Sequence, residues 1–144
     1  MSPAITLETA RRIMAGALEE ADKAGMAPLA IVVLDAGGHL KAFERQDGAS
    51  NLRYEIARGK AYGAIGLGVG SRALMKRAET QAYFIAAANG AFGGALIPVP
   101  GGVLVRDGNG ELLGAVGVSG DSSDNDERAA LAGIEAVGLV GETG

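Results

Sequence analysis

The sequence has no cysteine, which at one stroke removes disulfides, thiolate metal sites, iron–sulfur clusters, covalent c-type haem attachment and a cysteine nucleophile. It has one histidine, so any imidazole chemistry must use His39. Aromatic residues are scarce: three tyrosines, three phenylalanines and no tryptophan, so Tyr54, Tyr62 and Tyr83 are read first as core or interface residues. No run of basic residues exceeds two and the net charge is −4, which argues against a nucleic-acid or anionic-membrane surface. Apolar runs are too short to cross a bilayer, and the opening MSPAITLETARR lacks the basic-then-apolar pattern of a leader. These absences predict an acidic, soluble, cytoplasmic protein, with residues 1–144 as one domain large enough to bury a core without staples.

Glycine is in excess, with 24 residues where an average composition would give about half as many. Some mark hairpins. Val103 to Arg106 and Leu112 to Ser119 are runs of apolar, largely β-branched residues separated by Asp107-Gly108-Asn109-Gly110, whose dipeptides tolerate positive φ. The same grammar occurs earlier, in Ile31 to Asp35, the turn Ala36-Gly37-Gly38-His39, and Leu40 to Arg45. The shared D-x-x-G-x-L has two readings, recurrent turn chemistry or an old ββα duplication.

Around the hairpins, Thr6 caps a helix from Leu7 to about Lys23, and Gly25 ends it. After a cap segment at Gln46 to Asn51, a second helix runs from Arg53 to about Gly70. A short cationic helix follows over Ser71 to Thr80 with Ser71 as cap, then an apolar Tyr83 to Ala88. The stretch Ala91 to Pro100, with two glycines and two prolines, allows only a short or edge strand. A last helix spans about Asn125 to Leu139, with Asp124 and Glu127 as a capping box. The order predicts an α+β domain, five mostly antiparallel strands with helices packed on the faces of the sheet.

With the hairpins side by side and their turns at one end, Arg45 and Ser119 finish together at the other. That end would gather Asp47, Ser50, Asn51 and Arg53 with Gly120, and two helix N-termini whose free N–H groups suit a carboxylate. The alternative is that Ser50 and Asp124 only cap their helices. Gly59, Gly63, Gly66 and Gly70 form a smooth stripe along the second helix. Something must approach it closely: the sheet, a second subunit or a flat ligand, unless the helix is broken there. Lys60, beside the stripe, is either solvated or a desolvated base or anion anchor. Asp47 and His39 are the other acid–base candidates, although His39, in a turn, reads first as an exposed hairpin residue. Asp121, Asp124, Asp126 and Glu127 lack calcium-loop spacing and read as caps, and Ser119 lacks the G-x-S-x-G elbow of a nucleophile.

VLDAGGHLKAFERQDGA, then ARGKAYGA, then PGGVLVRDGNGELLGAVGVSG and an acidic DNDE resemble the GlcG/HbpS family of haem-binding and proposed haem-degrading proteins, a group that includes the C-terminal domain of PduO-type proteins. The resemblance runs over nearly the whole chain. It implies a profilin-like fold, homo-oligomeric assembly and haem or a related tetrapyrrole as ligand. His39 then becomes the candidate haem-iron ligand, and the sheet-end arginines with the glycine stripe (Arg45, Arg53, Gly59, Gly63) the candidate anion site and ring surface. Two other functions stay open, an enzyme acting on a small hydroxy- or keto-acid and a structural accessory subunit.

Overall fold

A computed structural model of the chain describes residues 4–144. Helix α1 (Leu7–Ala24) starts at Thr6, whose hydroxyl accepts from the Thr9 amide at 3.1 Å, and ends at Gly25 with φ 65°. Strands β1 (Ala30–Asp35) and β2 (Leu40–Arg45) follow, then helices α2 (Arg53–Leu67), α3 (Ser71–Thr80) and α4 (Ala82–Ala91). The chain closes with β3 (Gly102–Arg106), β4 (Leu112–Ser119), α5 (Ser123–Ala136) and β5 (Val140–Glu142).

The sheet has the order β2-β1-β4-β3-β5, with every neighbouring pair antiparallel. Its inner strands are apolar throughout because both faces are covered. Ile31, Val33, Val103, Val105, Val116 and Val118 share a core with α1 and α5. Ala30, Val32, Leu34, Leu104 and Ala115 pack on Ala57, Ala61 and Ala64 of α2. Each fully buried Ile, Leu or Val contributes about 1.5–3 kcal/mol. At Gly117 α2 comes too close for any side chain: a Cβ there would lie 2.0 Å from the Ala57 carbonyl oxygen.

Both hairpin turns use one device. Asp35 Oδ1 accepts from the Gly37 and His39 amides at 2.9 and 3.0 Å, and Asp107 Oδ1 from those of Asn109 and Glu111 at 2.9 and 3.0 Å. Gly38 and Gly110 have φ 82° and 81°. The hairpins nevertheless hold unequal places, since the first gives its leading strand to the centre of the sheet and the second its trailing strand. Turn chemistry accounts for the shared D-x-x-G-x-L.

Four boundary expectations are corrected. The fifth strand is β5, not a segment of residues 91–100; there Gly93 and Gly94 turn at φ 65° and 85°, and the Leu96 and Ile97 amides donate to the Asn89 side chain and the Gly59 carbonyl instead of a ladder. The last helix is capped by Ser122, whose hydroxyl accepts from Asn125 N at 3.2 Å, while Asp124 and Glu127 pair with Arg72. Ser50 does not cap α2, which has no side-chain cap. Ser71 is buried within α3, its hydroxyl bridging the N–H and C=O of Gly102.

Candidate functional site

Arg45 and Ser119 stand on either side of Ala30, one on each strand flanking β1. The sheet end thus brings them together, but the helix starts do not join them in one hollow. Arg45, Gln46, Asp47, Met26 and Pro28 line a shallow depression of about 510 Å³ to which neither α2 nor α5 contributes. Asp47, Ser50 and Asn51 are exposed. The reason is the layering: α2 and α5 lie on opposite faces of the sheet. Arg53 turns inward, its Nη1 donating to the buried Ser119 Oγ at 3.0 Å. Gly120 is pressed against residues 28–29, where a Cβ would meet the Pro28 carbonyl oxygen at 2.2 Å.

Lys60 is sealed. Its Nζ donates to the Val118 carbonyl at 2.9 Å and to Asp126 Oδ2 at 3.0 Å, with the two side chains 2% and 1% exposed. Asp126 Oδ1 accepts from the Asp121 amide. Burial pushes Lys60 down and Asp126 up from their ordinary values, and their mutual attraction opposes both shifts. Gly101 makes room for the lysine: a Cβ there would lie 2.9 Å from Nζ.

The glycine stripe is covered by the chain itself, which corrects the expectation that Gly59 and Gly63 offer a surface to a flat ligand. A Cβ on Gly59 would sit 2.3 Å from the Ala95 carbonyl oxygen, one on Gly63 2.5 Å from Leu96 Cδ1, and one on Gly66 2.5 Å from Phe92 Cε1. The segment after α4 folds back along α2, and the glycines are what let it. Beyond that contact α2 and α4 diverge.

The divergence leaves an open apolar groove of about 580 Å³, lined by Tyr62, Ile65 and Leu67 of α2, Phe84, Ala88 and Ala91 of α4, Phe92, and the turn at Ala36-Gly37. Tyr62 and Phe92 meet edge to face at 5.3 Å. Arg58 Cζ lies 4.5 Å above the Tyr62 ring and Arg77 Cζ 3.5 Å above the Phe84 ring. Arg58 also borders a second hollow of about 530 Å³ with Leu52, Tyr54, Glu55 and Ile56.

His39 is at this end of the molecule, in the β1–β2 turn and 83% exposed. Its ring stands beside Gly37 at the groove's rim, where a Cβ on Gly37 would come within 3.0 Å of Nδ1. Nδ1 faces Asp35 Oδ1 at 3.5 Å, leaving Nε2 for a ligand. Asp35 is held below its ordinary value, first by the His39 amide.

Phe84 and Phe92 of the groove, and Arg58 and Arg77 stacked on its rings, are residues that sequence reasoning missed. Arg58 and Tyr62 carry a readable signal, four apart on one helix face. Arg77 and Phe84 carry none, because they lie on different helices.

A family model described as haem degrading protein HbpS-like matches residues 5–135. No curated protein matches the chain. Among solved structures, HbpS of Streptomyces reticuli, determined as a double mutant, is 28% identical with a TM-score of 0.80, covering 95% of this chain and 89% of its own. A PduOC:haem complex has a TM-score of 0.84 at 22% identity, covering 95% and 97%, and the Klebsiella pneumoniae protein ORFY 0.83 at 24%, covering 96% and 94%.

Proposed function

The chain belongs to the HbpS-like family, and from that membership and the groove between α2 and α4 we propose that it binds haem or a closely related tetrapyrrole there. The observation that carries the proposal is the groove's wall: three aromatic rings, from Tyr62, Phe84 and Phe92, on an otherwise aromatic-poor chain. A volume of about 580 Å³ is in the range of cofactor sites. His39 supplies the imidazole at the rim, its Nδ1 3.5 Å from Asp35 Oδ1. Haem when bound brings redox-active iron; the residues of the chain bind the ring, shield one face from water and orient the imidazole.

The anion site at the sheet end drops out of this reading, since the apolar surface and the sole histidine are at the opposite end. The small-acid enzyme reading relied on Lys60 as base, and that amine is enclosed with its donors committed to Val118 and Asp126. Self-association belongs to the proposal. Helix α4 carries no charged side chain and leaves Tyr83 73% exposed, a surface suited to a second copy. Light scattering checks this, with Tyr83→Glu expected to lower the mass.

Titration of the purified protein with hemin, followed at the Soret band, tests the reading. A saturable shift at micromolar protein is expected, with the band displaced in His39→Ala and binding weakened in Phe84→Ala. Absence of any saturable change, or full retention of binding in Phe84→Ala and Tyr62→Ala, would overturn it.

A further inference from the structure

We infer that the groove selects a flat ligand bearing two carboxylates, with Arg58 and Arg77 as the residues that receive them; the inference rests on the tetrapyrrole reading above and makes it specific. The groove proper is apolar, so it grips a ring without distinguishing its periphery. Discrimination has to come from the margins. A guanidinium stacked on a ring turns its plane to the aromatic face and its N–H fork outward along the edge. Arg58 Cζ lies 4.5 Å from the centroid of the Tyr62 ring and Arg77 Cζ 3.5 Å from that of Phe84, and both rings belong to the groove's lining.

Their partners elsewhere are incomplete. Arg72, Arg106 and Arg128 each pair with a carboxylate, but among the described residues neither Arg58 nor Arg77 does. Arg77 spends only Nε, which donates to Gln81 Oε1 at 3.0 Å and braces the plane over Phe84. Both Nη groups remain for an acceptor. In a chain of net charge −4, two arginines without acidic partners, each stacked on a ring that lines the same apolar groove, form a complement to a dianionic rim.

Metal-free protoporphyrin IX and its dimethyl ester test this, because without iron His39 is not a variable. Binding is read from the anisotropy of porphyrin fluorescence. The free acid is expected to bind at least roughly tenfold more tightly than the ester, the size of one charge-assisted hydrogen bond of about 1.5 kcal/mol. Arg58→Gln and Arg77→Gln should each weaken the free acid by about tenfold and leave the ester unchanged, with unfolding curves like the parent's. Equal affinity for acid and ester, or acid binding unaffected in both variants, overturns the inference while leaving the groove in place. Failure of both porphyrins to bind overturns the groove reading itself.

Discussion

Replacing Lys60 with methionine isolates the energetics of the buried pair. The variant keeps the volume of the side chain but leaves Asp126, 1% exposed, without its cation. Removing one member of a buried pair costs about 3–5 kcal/mol, a large share of the ~5–15 kcal/mol available to a domain. Near neutral pH the urea midpoint should therefore fall far below the parent's. Acid should repair the variant. Asp126 in the folded chain already titrates above its ordinary 3.8 because of burial, and loss of Lys60 raises it further. A raised carboxyl means that the folded state holds a proton the unfolded chain has released, so this stability is present below about 3.8 and is lost as pH rises through the folded pKa. The deficit against the parent should shrink on going from about pH 7 to about pH 4, by ~1.4 kcal/mol for each pH unit below the raised pKa. Urea unfolding followed by circular dichroism at both pH values measures it. A deficit under about 1 kcal/mol, or one equal at both pH values, would refute the reasoning. The paired change Lys60→Met with Asp126→Leu should recover most of the loss, because an apolar pair pays no desolvation cost.

Four smaller perturbations separate the packing and capping claims. Gly59→Ala should destabilise by about 1–3 kcal/mol through overpacking against Ala95 and Ile97, despite a helix-propensity gain of about 1 kcal/mol; chemical denaturation decides the sign. Gly90→Ala, in α4 with nothing within 4 Å of the added Cβ, should stabilise by about 0.4–1 kcal/mol in the same assay. Ser122→Ala should cost about 1 kcal/mol by thermal unfolding as the true cap of α5. Asp124→Ala should cost no more than about 1 kcal/mol, the worth of a surface contact to Arg72.

Features set by local chemistry were legible in the chain. Asp35, Gly38, Asp107 and Gly110 are dictated by turns a few residues long, and laying the two hairpins side by side with those turns at one end placed Arg45 and Ser119 together, as the pairing of both strands with β1 has them. The stripe from Gly59 to Gly70 announced close approach, but not by what; residues 92–97, which cover Gly59, Gly63 and Gly66, depend on Gly93 and Gly94 reversing the chain after α4, and Gly70 is met instead by Glu142 and Thr143. Residues 140–142 are too few to stand out as a strand and follow α5 with little break. The groove was invisible for a related reason. Phe84 reaches Arg77 only across the break at Gln81, and Phe92 reaches Tyr62 only because the chain folds back.

A crystal structure of the hemin-loaded protein tests the central claim most directly. The porphyrin should lie between α2 and α4 against Tyr62, Phe84 and Phe92, with the His39 imidazole on the iron. Porphyrin density in the depression beside Arg45 and Asp47, with the α2–α4 groove empty, would contradict it.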